Sequence, residues 1–238
     1  MRFFPLLSGV LLLNAFAFVT IKLRPGIFGV KVFKPMLWNF KLSVMPLLIL
    51  LLNIGLFLAL SFLRAQLNAP FILTVAYILF FVGLLIWLLF LPNSGYLITE
   101  LNLTHRDADE KEVPIWYDIV SVLCFALSGI VNTLANIVIV QLSFLVAFDP
   151  LELTAQNYIV LFLSGFVIIF IIVIGIYLGR ALRLNSWDVL HPGSLFRKLK
   201  VNFQKQGSLK EFALYIVINT IFFMIMYISF GVPFYFVK

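Results

Sequence analysis

Charged residues are scarce in this sequence, and acidic residues are the scarcest. Only 11% of the 238 residues are charged, with ten Asp and Glu against seventeen Lys and Arg, whereas a soluble domain carries about 25%. Hydrophobic residues make up 63% of the chain, and the mean hydropathy is +1.12. We therefore predict an integral membrane protein whose main partner is the lipid bilayer. Its basic residues lie between apolar runs, so they indicate membrane topology and not nucleic-acid binding.

Cysteine and histidine are almost absent. The single cysteine, Cys124, excludes a disulfide framework within the chain. The two histidines, His105 and His191, are far apart in sequence, so we predict no metal site. The usual nucleotide-binding, zinc-protease and nucleophile-elbow motifs are also missing. We therefore expect no cofactor.

Six apolar stretches reach the roughly 20 residues that a helix needs to cross the hydrocarbon core of a bilayer. They cover residues 3–21, 42–63, 71–91, 115–140, 158–179 and 212–237. We predict an all-α polytopic bundle that forms one membrane domain over residues 1–238, with the first stretch retained as a helix and not cleaved as a signal peptide. The fourth stretch stays apolar to Phe148, so the sequence leaves open whether it is one long helix or is broken near Ser128 and Gly129.

The distribution of basic residues predicts the orientation of the chain. Fourteen of the seventeen Lys and Arg lie between spans one and two, three and four, or five and six. The positive-inside rule places these segments in the cytoplasm and both termini outside.

The segment 195–205, between spans five and six, has an amphipathic pattern. Leu195, Leu199 and Phe203 recur every four residues, and Lys and Arg fall between them. This pattern predicts an interfacial helix that contacts anionic lipid, although an ordinary positive-inside loop would also account for it.

Polar residues within the spans follow helical faces. At about 100° per residue, most polar positions of the fourth span fall within an arc of about 100°, and Thr133 strays from that arc. Spans two and six carry similar stripes. The residues that we expect to form a polar seam within the membrane are Asn53, Ser128, Asn132, Asn136 and Asn219. Two interpretations stay open, namely hydrogen bonds that only pack the helices, and a hydrated or substrate-lined cavity.

Three motifs lie close to the ends of the spans. Residues 91–101 read LPNSGYLITEL, residues 113–118 read VPIWYD, and residues 175–188 read GIYLGRALRLNSWD. Together, and in this order, they resemble the DUF1361 family of uncharacterised bacterial multipass membrane proteins. The resemblance implies a bacterial plasma membrane, and it implies no activity.

The same motifs supply a second set of candidate site residues. The turn after span three, followed by an apolar segment, predicts a re-entrant or interfacial segment there. The candidates for a substrate or structural polar site are Asn93, Tyr96, Glu100, Asp118, Arg180, Arg183, Asn185 and Asp188. Asp118 begins span four and both arginines follow span five, so helix-end electrostatics also account for them. We expect Arg180 or Arg183 to pair with Asp118 or Asp188.

Three functions are compatible with these features. The seam favours transport or handling of a small polar or lipid-linked substrate. A membrane-embedded enzyme would instead use Glu100, Asp118 or Asp188 as acid or base on a lipid-linked or quinone-like substrate. A non-catalytic accessory subunit of a membrane complex is the third.

Overall fold

A computed structural model describes residues 3–32, 34–101, 113–148, 155–181, 192–205 and 207–230, and within these ranges every element is helical. The elements are α1 (Phe3–Phe28), α2 (Lys34–Leu67), α3 (Phe71–Phe90), α4 (Pro92–Gly95), a 3-10 turn (Tyr96–Leu101), α5 (Ile115–Phe148), α6 (Ala155–Ala181), α7 (Pro192–Phe203) and α8 (Ser208–Ser229). Six helices in the described ranges are long and apolar enough to cross a membrane. The predicted all-α polytopic membrane fold is therefore confirmed.

Several helices begin or end away from the predicted span limits. α1 continues beyond residue 21 to Phe28, and α2 begins at Lys34 and not at residue 42. α8 begins at Ser208 and ends at Ser229, whereas the sequence predicts a span over residues 212–237. The differences at α1 and α2 have one cause. A basic residue at the end of a membrane helix keeps its backbone hydrogen bonds while its side chain reaches out of the hydrocarbon, so hydropathy stops short of the true helix end.

The end of α1 is set by a glycine. Gly29 has φ of 67°, a left-handed backbone that few other residues adopt readily. Its amide donates to the carbonyl oxygen of Pro25 at 3.0 Å and closes the last turn. Lys22 and Arg24 therefore lie on a helix and not in a loop.

The fourth span is one continuous helix. Ser128 and Gly129 both lie within α5, and the Ser128 hydroxyl donates to the carbonyl of Phe125 at 2.7 Å. Gly129 serves close packing here, because an added Cβ would lie 2.9 Å from Cβ of Leu97. The sequence alternative of a break at this pair is therefore excluded.

The chain divides into two compact units, Met1–Ser143 and Phe144–Lys238. In the first unit, α3 packs along α2 through the rings of Phe57, Tyr77 and Phe80, with ring centroids 5.0–5.4 Å apart. The core of this unit contains an apolar cluster formed by α1, α2, the 3-10 turn and α5, whose buried members are Ala17, Ile21, Met36, Phe40, Leu97, Val122 and Phe125.

The segment after α3 lies inside the first unit. Ser94, Gly95 and Leu97 are buried, and Leu97 belongs to the apolar cluster just described. The predicted re-entrant or interfacial segment is thus the short α4 with its 3-10 turn, in contact with α5 at Gly129 and with α2 at Ser43. Its apolar residues are explained by this burial against protein.

The second unit contains α6, α7 and α8. Tyr227 of α8 lies against Gly165 of α6, where an added Cβ would be 2.7 Å from Cζ of the tyrosine, and its hydroxyl donates to the carbonyl of Leu161 at 3.4 Å. α7 contacts α8 through the rings of Phe203 and Phe212, which meet edge to face with their centroids 5.3 Å apart. The sequence prediction of an amphipathic helix between spans five and six corresponds to α7.

Candidate functional site

A cluster of amides and hydroxyls joins four segments of the first unit near the middle of α5. Asn14 of α1 and Asn132 of α5 exchange hydrogen bonds of 2.7 and 3.1 Å through their side-chain amides. Asn132 also donates to the hydroxyl of Ser43 on α2 at 3.1 Å, and that hydroxyl donates to the backbone carbonyl of Ser94 at 2.8 Å. The Ser94 hydroxyl lies 3.0 Å from the hydroxyl of Thr133. We call these five residues the central polar cluster.

The polar contacts continue along α5 away from the central polar cluster. Asn136 donates to the backbone carbonyl of Asn132 at 2.8 Å, and its own side-chain oxygen accepts from the indole nitrogen of Trp87 at 2.8 Å. Trp87 is one of the few buried residues of α3. This bond therefore extends the network from α5 to α3.

An ion pair also joins α1 and α5, at the end of α5 opposite to Asn136. Arg24, near the end of α1, binds Asp118, in the first turn of α5, and their side chains are only 7% and 0% exposed. Beside them the Tyr117 hydroxyl donates to the Thr20 carbonyl at 2.6 Å, and the Ser121 hydroxyl donates to the Thr20 hydroxyl at 3.3 Å. A helix N-terminus favours an anion, so the first turn of α5 stabilises Asp118 in this pair.

An apolar layer separates the two polar groups. The cluster that contains Ala17, Leu97 and Phe125 lies between the ion pair and the central polar cluster. Beside the central polar cluster, Val10, Val131 and Ala135 are buried together, with Leu13 and Leu47 packed against them. The seam therefore consists of a charged layer, an apolar layer and the central polar cluster, from which polar contacts continue to Asn136 and Trp87.

The predicted seam residues occupy different places. Asn132 and Asn136 are fully buried in the network, and Ser128 is fully buried but bonds to its own helix. Asn53 is buried between α2 and α3, where it donates to the carbonyl of Phe80 at 3.0 Å and fills the space beside Gly83. Asn219 belongs to the second unit and donates to the carbonyl of Tyr215 at 2.9 Å.

The predicted motif residues are also spread out. Asn93 and Tyr96 are half-buried in α4 and the 3-10 turn, and Glu100 lies on that turn, with its side chain outside the described part of the structure. Arg180 is exposed in the last turn of α6, in the second unit. Arg183, Asn185 and Asp188 lie outside the described residues, so the predicted pairing of either arginine with Asp188 stays a prediction.

Sequence reasoning missed the contribution of α1. Asn14, Thr20 and Arg24 fall within an arc of about 120° at about 100° per residue, so the stripe is readable in the sequence. The count of basic residues assigns Arg24 to topology alone and does not reveal this stripe. In the structure Arg24 is the partner of Asp118.

Helical periodicity also gives the wrong expectation for Thr133. It lies off the polar arc of the fourth span, yet it is fully buried and bonds both Ser94 and the Gly129 carbonyl. The segment formed by α4 and the 3-10 turn packs against this side of α5. It gives α5 a second protein-facing side that periodicity does not reveal.

Comparisons with known proteins place the chain in a family. A family model described as "Protein of unknown function (DUF1361)" matches residues 38–228, most of the chain. Neither the search of curated proteins nor the search of solved structures found a match. Within the part of the chain that the structure describes, no group of three or more His, Cys, Asp or Glu residues is placed to hold a metal ion.

Proposed function

The chain belongs to the DUF1361 family, and from its central polar cluster we propose that it binds and moves a small polar or lipid-linked substrate along the seam of the first unit. We propose further that it acts in a bacterial plasma membrane with both termini outside. The observation that carries the proposal is the position of the cluster near the middle of α5, with a buried apolar layer between it and the ion pair and further buried apolar residues beside it. A carrier needs such a binding site near mid-membrane, closed from both aqueous phases when it is occluded.

The chemistry of the cluster suits a neutral polar group. Its members offer amide donors, hydroxyls and one backbone carbonyl, and none of them is charged. A primary amide of the substrate, with two donors and an acceptor oxygen, could replace the two bonds between Asn14 and Asn132 without leaving a polar atom unpaired. Replacement of this kind keeps binding and release close in free energy, as transport requires.

The short segment after α3 also supports the proposal. At Tyr96 the backbone changes from α to 3-10 geometry, an irregularity that often marks a functional hinge. The Ser94 carbonyl on this segment accepts the Ser43 hydroxyl, so the segment is part of the cluster. Hydrogen bonds that only pack helices contribute about 0.6–2 kcal/mol each and can be made between regular α-helices, so packing alone does not call for this change of helix geometry.

An enzyme is the weaker alternative. Acid–base chemistry on a buried substrate usually needs two positioned titratable groups. Among the side chains that the structure describes, Asp118 is the carboxylate on the seam, and it is paired with Arg24. An accessory subunit without transport would leave the central polar cluster permanently dry.

Accessibility of the cluster to water tests the proposal without knowledge of the substrate. Cys124 is the only cysteine, so Cys124→Ser gives a cysteine-free background. In that background we expect Ser43→Cys and Ser94→Cys to react, in native membranes, with a small cationic thiosulfonate that does not cross the bilayer. Ala76→Cys is the matched control, because Ala76 is fully buried on α3 away from the cluster.

The pattern of reaction decides between transport and packing. Reaction at both cluster positions with an inert Ala76→Cys supports a seam that opens to water. If Ser43→Cys and Ser94→Cys are as inert as the control while the protein stays folded, the cluster only packs helices and the carrier proposal is wrong.

A further inference from the structure

The ion pair between Arg24 and Asp118 lies at a position where charge is costly. Both side chains are almost wholly buried, within helices that cross the membrane. Such a pair is tolerated because its net charge is zero and because the N-terminal turn of α5 favours the Asp118 carboxylate. Any state of this site that keeps the protein folded must therefore stay close to neutral.

This inference rests on the proposed function. We propose that Arg24 binds an oxyanion of the substrate, either a carboxylate or a phosphate group, and that Asp118 takes up a proton when the anion binds. In the empty state the Asp118 carboxylate is paired with the Arg24 guanidinium. In the loaded state the substrate oxyanion occupies it, and Asp118 is a neutral carboxylic acid.

The exchange balances in atoms and charge. One proton from water joins the Asp118 carboxylate as its O–H bond forms, and one monoanion enters against Arg24, whose charge does not change. The site is neutral before and after, whereas an anion that entered without the proton would leave a buried net negative charge. The exchange therefore couples each bound anion to one proton.

The surroundings of Arg24 suit an oxyanion. A guanidinium has a planar fork of donors that matches carboxylate and phosphate oxygens. Asp118 lies in the first turn of α5, whose positive end favours an anion beside it, whether the carboxylate or a bound substrate. Thr20, Tyr117 and Ser121 bring hydroxyls to the same place.

Among the residues that the structure describes, few other titratable groups face this pair. Tyr117 is the nearest, and it is fixed by its bond to Thr20 and by edge-on contact with Phe28, 4.8 Å between ring centroids. On the described parts of α1, the following connection and α2, the lysines are all exposed, and they are Lys22, Lys31, Lys34 and Lys41. Asp118 is therefore the described group placed to exchange a proton with a bound anion.

Calorimetry on the full chain tests the proposal independently of transport. The protein in phosphatidylcholine nanodiscs is titrated with sodium acetate and with sodium phosphate, in buffers of different ionisation enthalpy, which yields the number of protons taken up per anion. A second arm uses nanodiscs that contain phosphatidylglycerol. If a lipid headgroup is the natural oxyanion, these nanodiscs should weaken acetate and phosphate binding by competition.

The variants separate anion binding from stability. We expect uptake of about one proton per anion in the unmodified protein. Arg24→Gln should weaken anion binding by about tenfold or more. Asp118→Asn should bind the anion without proton uptake, and Arg24→Gln combined with Asp118→Asn should fold but bind none. Arg24→Lys, which keeps the charge, should recover part of the affinity that Arg24→Gln loses. It provides the second test if Asp118→Asn alone proves too unstable to purify.

Two results would overturn the inference. One is anion binding in the unmodified protein without proton uptake. The other is the absence of saturable binding of acetate or phosphate in phosphatidylcholine nanodiscs. Neither result depends on whether the central polar cluster opens to water, so a failure here leaves the carrier proposal to its own test.

Discussion

Gly129 determines how closely the segment after α3 can approach α5. A Cβ at this position would lie 2.9 Å from Cβ of Leu97 and 3.2 Å from the carbonyl oxygen of Ser94. That carbonyl accepts the Ser43 hydroxyl at 2.8 Å. The absence of one side chain therefore allows a backbone carbonyl to join the central polar cluster.

We predict that Gly129→Ala destabilises the protein although alanine is the better helix former. The added methyl must displace backbone, and overpacking of this kind costs about 1–3 kcal/mol. Gly55→Ala is the matched control, because Gly55 also lies in a membrane helix and an added Cβ there meets nothing within 4 Å. It should be neutral or more stable by about 0.5–1 kcal/mol.

Thermal unfolding in detergent measures both glycine variants. A lower midpoint for Gly129→Ala together with an unchanged or higher midpoint for Gly55→Ala is the expected result. Equal midpoints would show that the segment of α4 and the 3-10 turn is not packed on α5 as described.

At the scale of elements, the sequence predicted the membrane helices but not all of their ends or contacts. Hydropathy identifies a span because about 20 apolar residues have few alternatives to crossing the bilayer. It gives no information on how far a helix extends past the hydrocarbon, so α1 and α2 were predicted too short. It also cannot show that the segment after α3 packs inside the protein, because apolar residues are equally suited to lipid.

The candidate site was predictable to a similar extent. The polar arc of the fourth span pointed to Asn132 and Asn136, which the structure places in the network. Their partners Asn14 and Trp87 lie on other helices, and a single sequence carries no information on which helix faces meet. Tertiary contacts between helices were therefore the part that periodicity could not supply.

α7 carries a prediction about lipid. Arg197, Lys198 and Lys200 are exposed, and Phe196 beside them is 69% exposed. An amphipathic helix with basic residues binds an anionic surface through charge attraction, at about 1 kcal/mol per Lys or Arg, and through burial of its apolar side chains. We predict that α7 lies on anionic lipid.

A tryptophan probe measures this contact. The chain has four tryptophans of its own, so the emission added by Phe196→Trp is obtained by subtracting the spectrum of the unmodified protein. This added emission should be blue-shifted in nanodiscs that contain phosphatidylglycerol, relative to phosphatidylcholine alone. Replacing Arg197, Lys198 and Lys200 together by Gln should remove that difference, and high salt should reduce it. An emission that does not depend on lipid charge would contradict the prediction and leave α7 as an ordinary basic loop helix.

At the scale of the whole molecule, the ion pair constrains the path of the chain. It joins the C-terminal end of α1 to the N-terminal end of α5, so these two ends lie on the same side of the first unit. If α2 and α3 each cross the membrane once, the chain returns to the side on which α1 ended, so α5 must begin on that same side. The alternation assumed in the charge count is therefore supported within this unit, while the absolute orientation and a single membrane domain over the chain stay predictions.

The absolute orientation gives the last prediction. Burial of Arg24 against Asp118 removes one basic residue from the cytoplasmic count, and thirteen against three still favours the same side. In the Cys124→Ser background, Lys238→Cys should react with an impermeant maleimide in intact cells, because the C-terminus is predicted to be outside. Lys200→Cys, on the exposed side of α7, should react only after the cells are permeabilised, and Cys124→Ser alone should not be labelled. Labelling of Lys200→Cys but not Lys238→Cys in intact cells would reverse the topology. It would also place the Arg24 site at the outer face of the membrane.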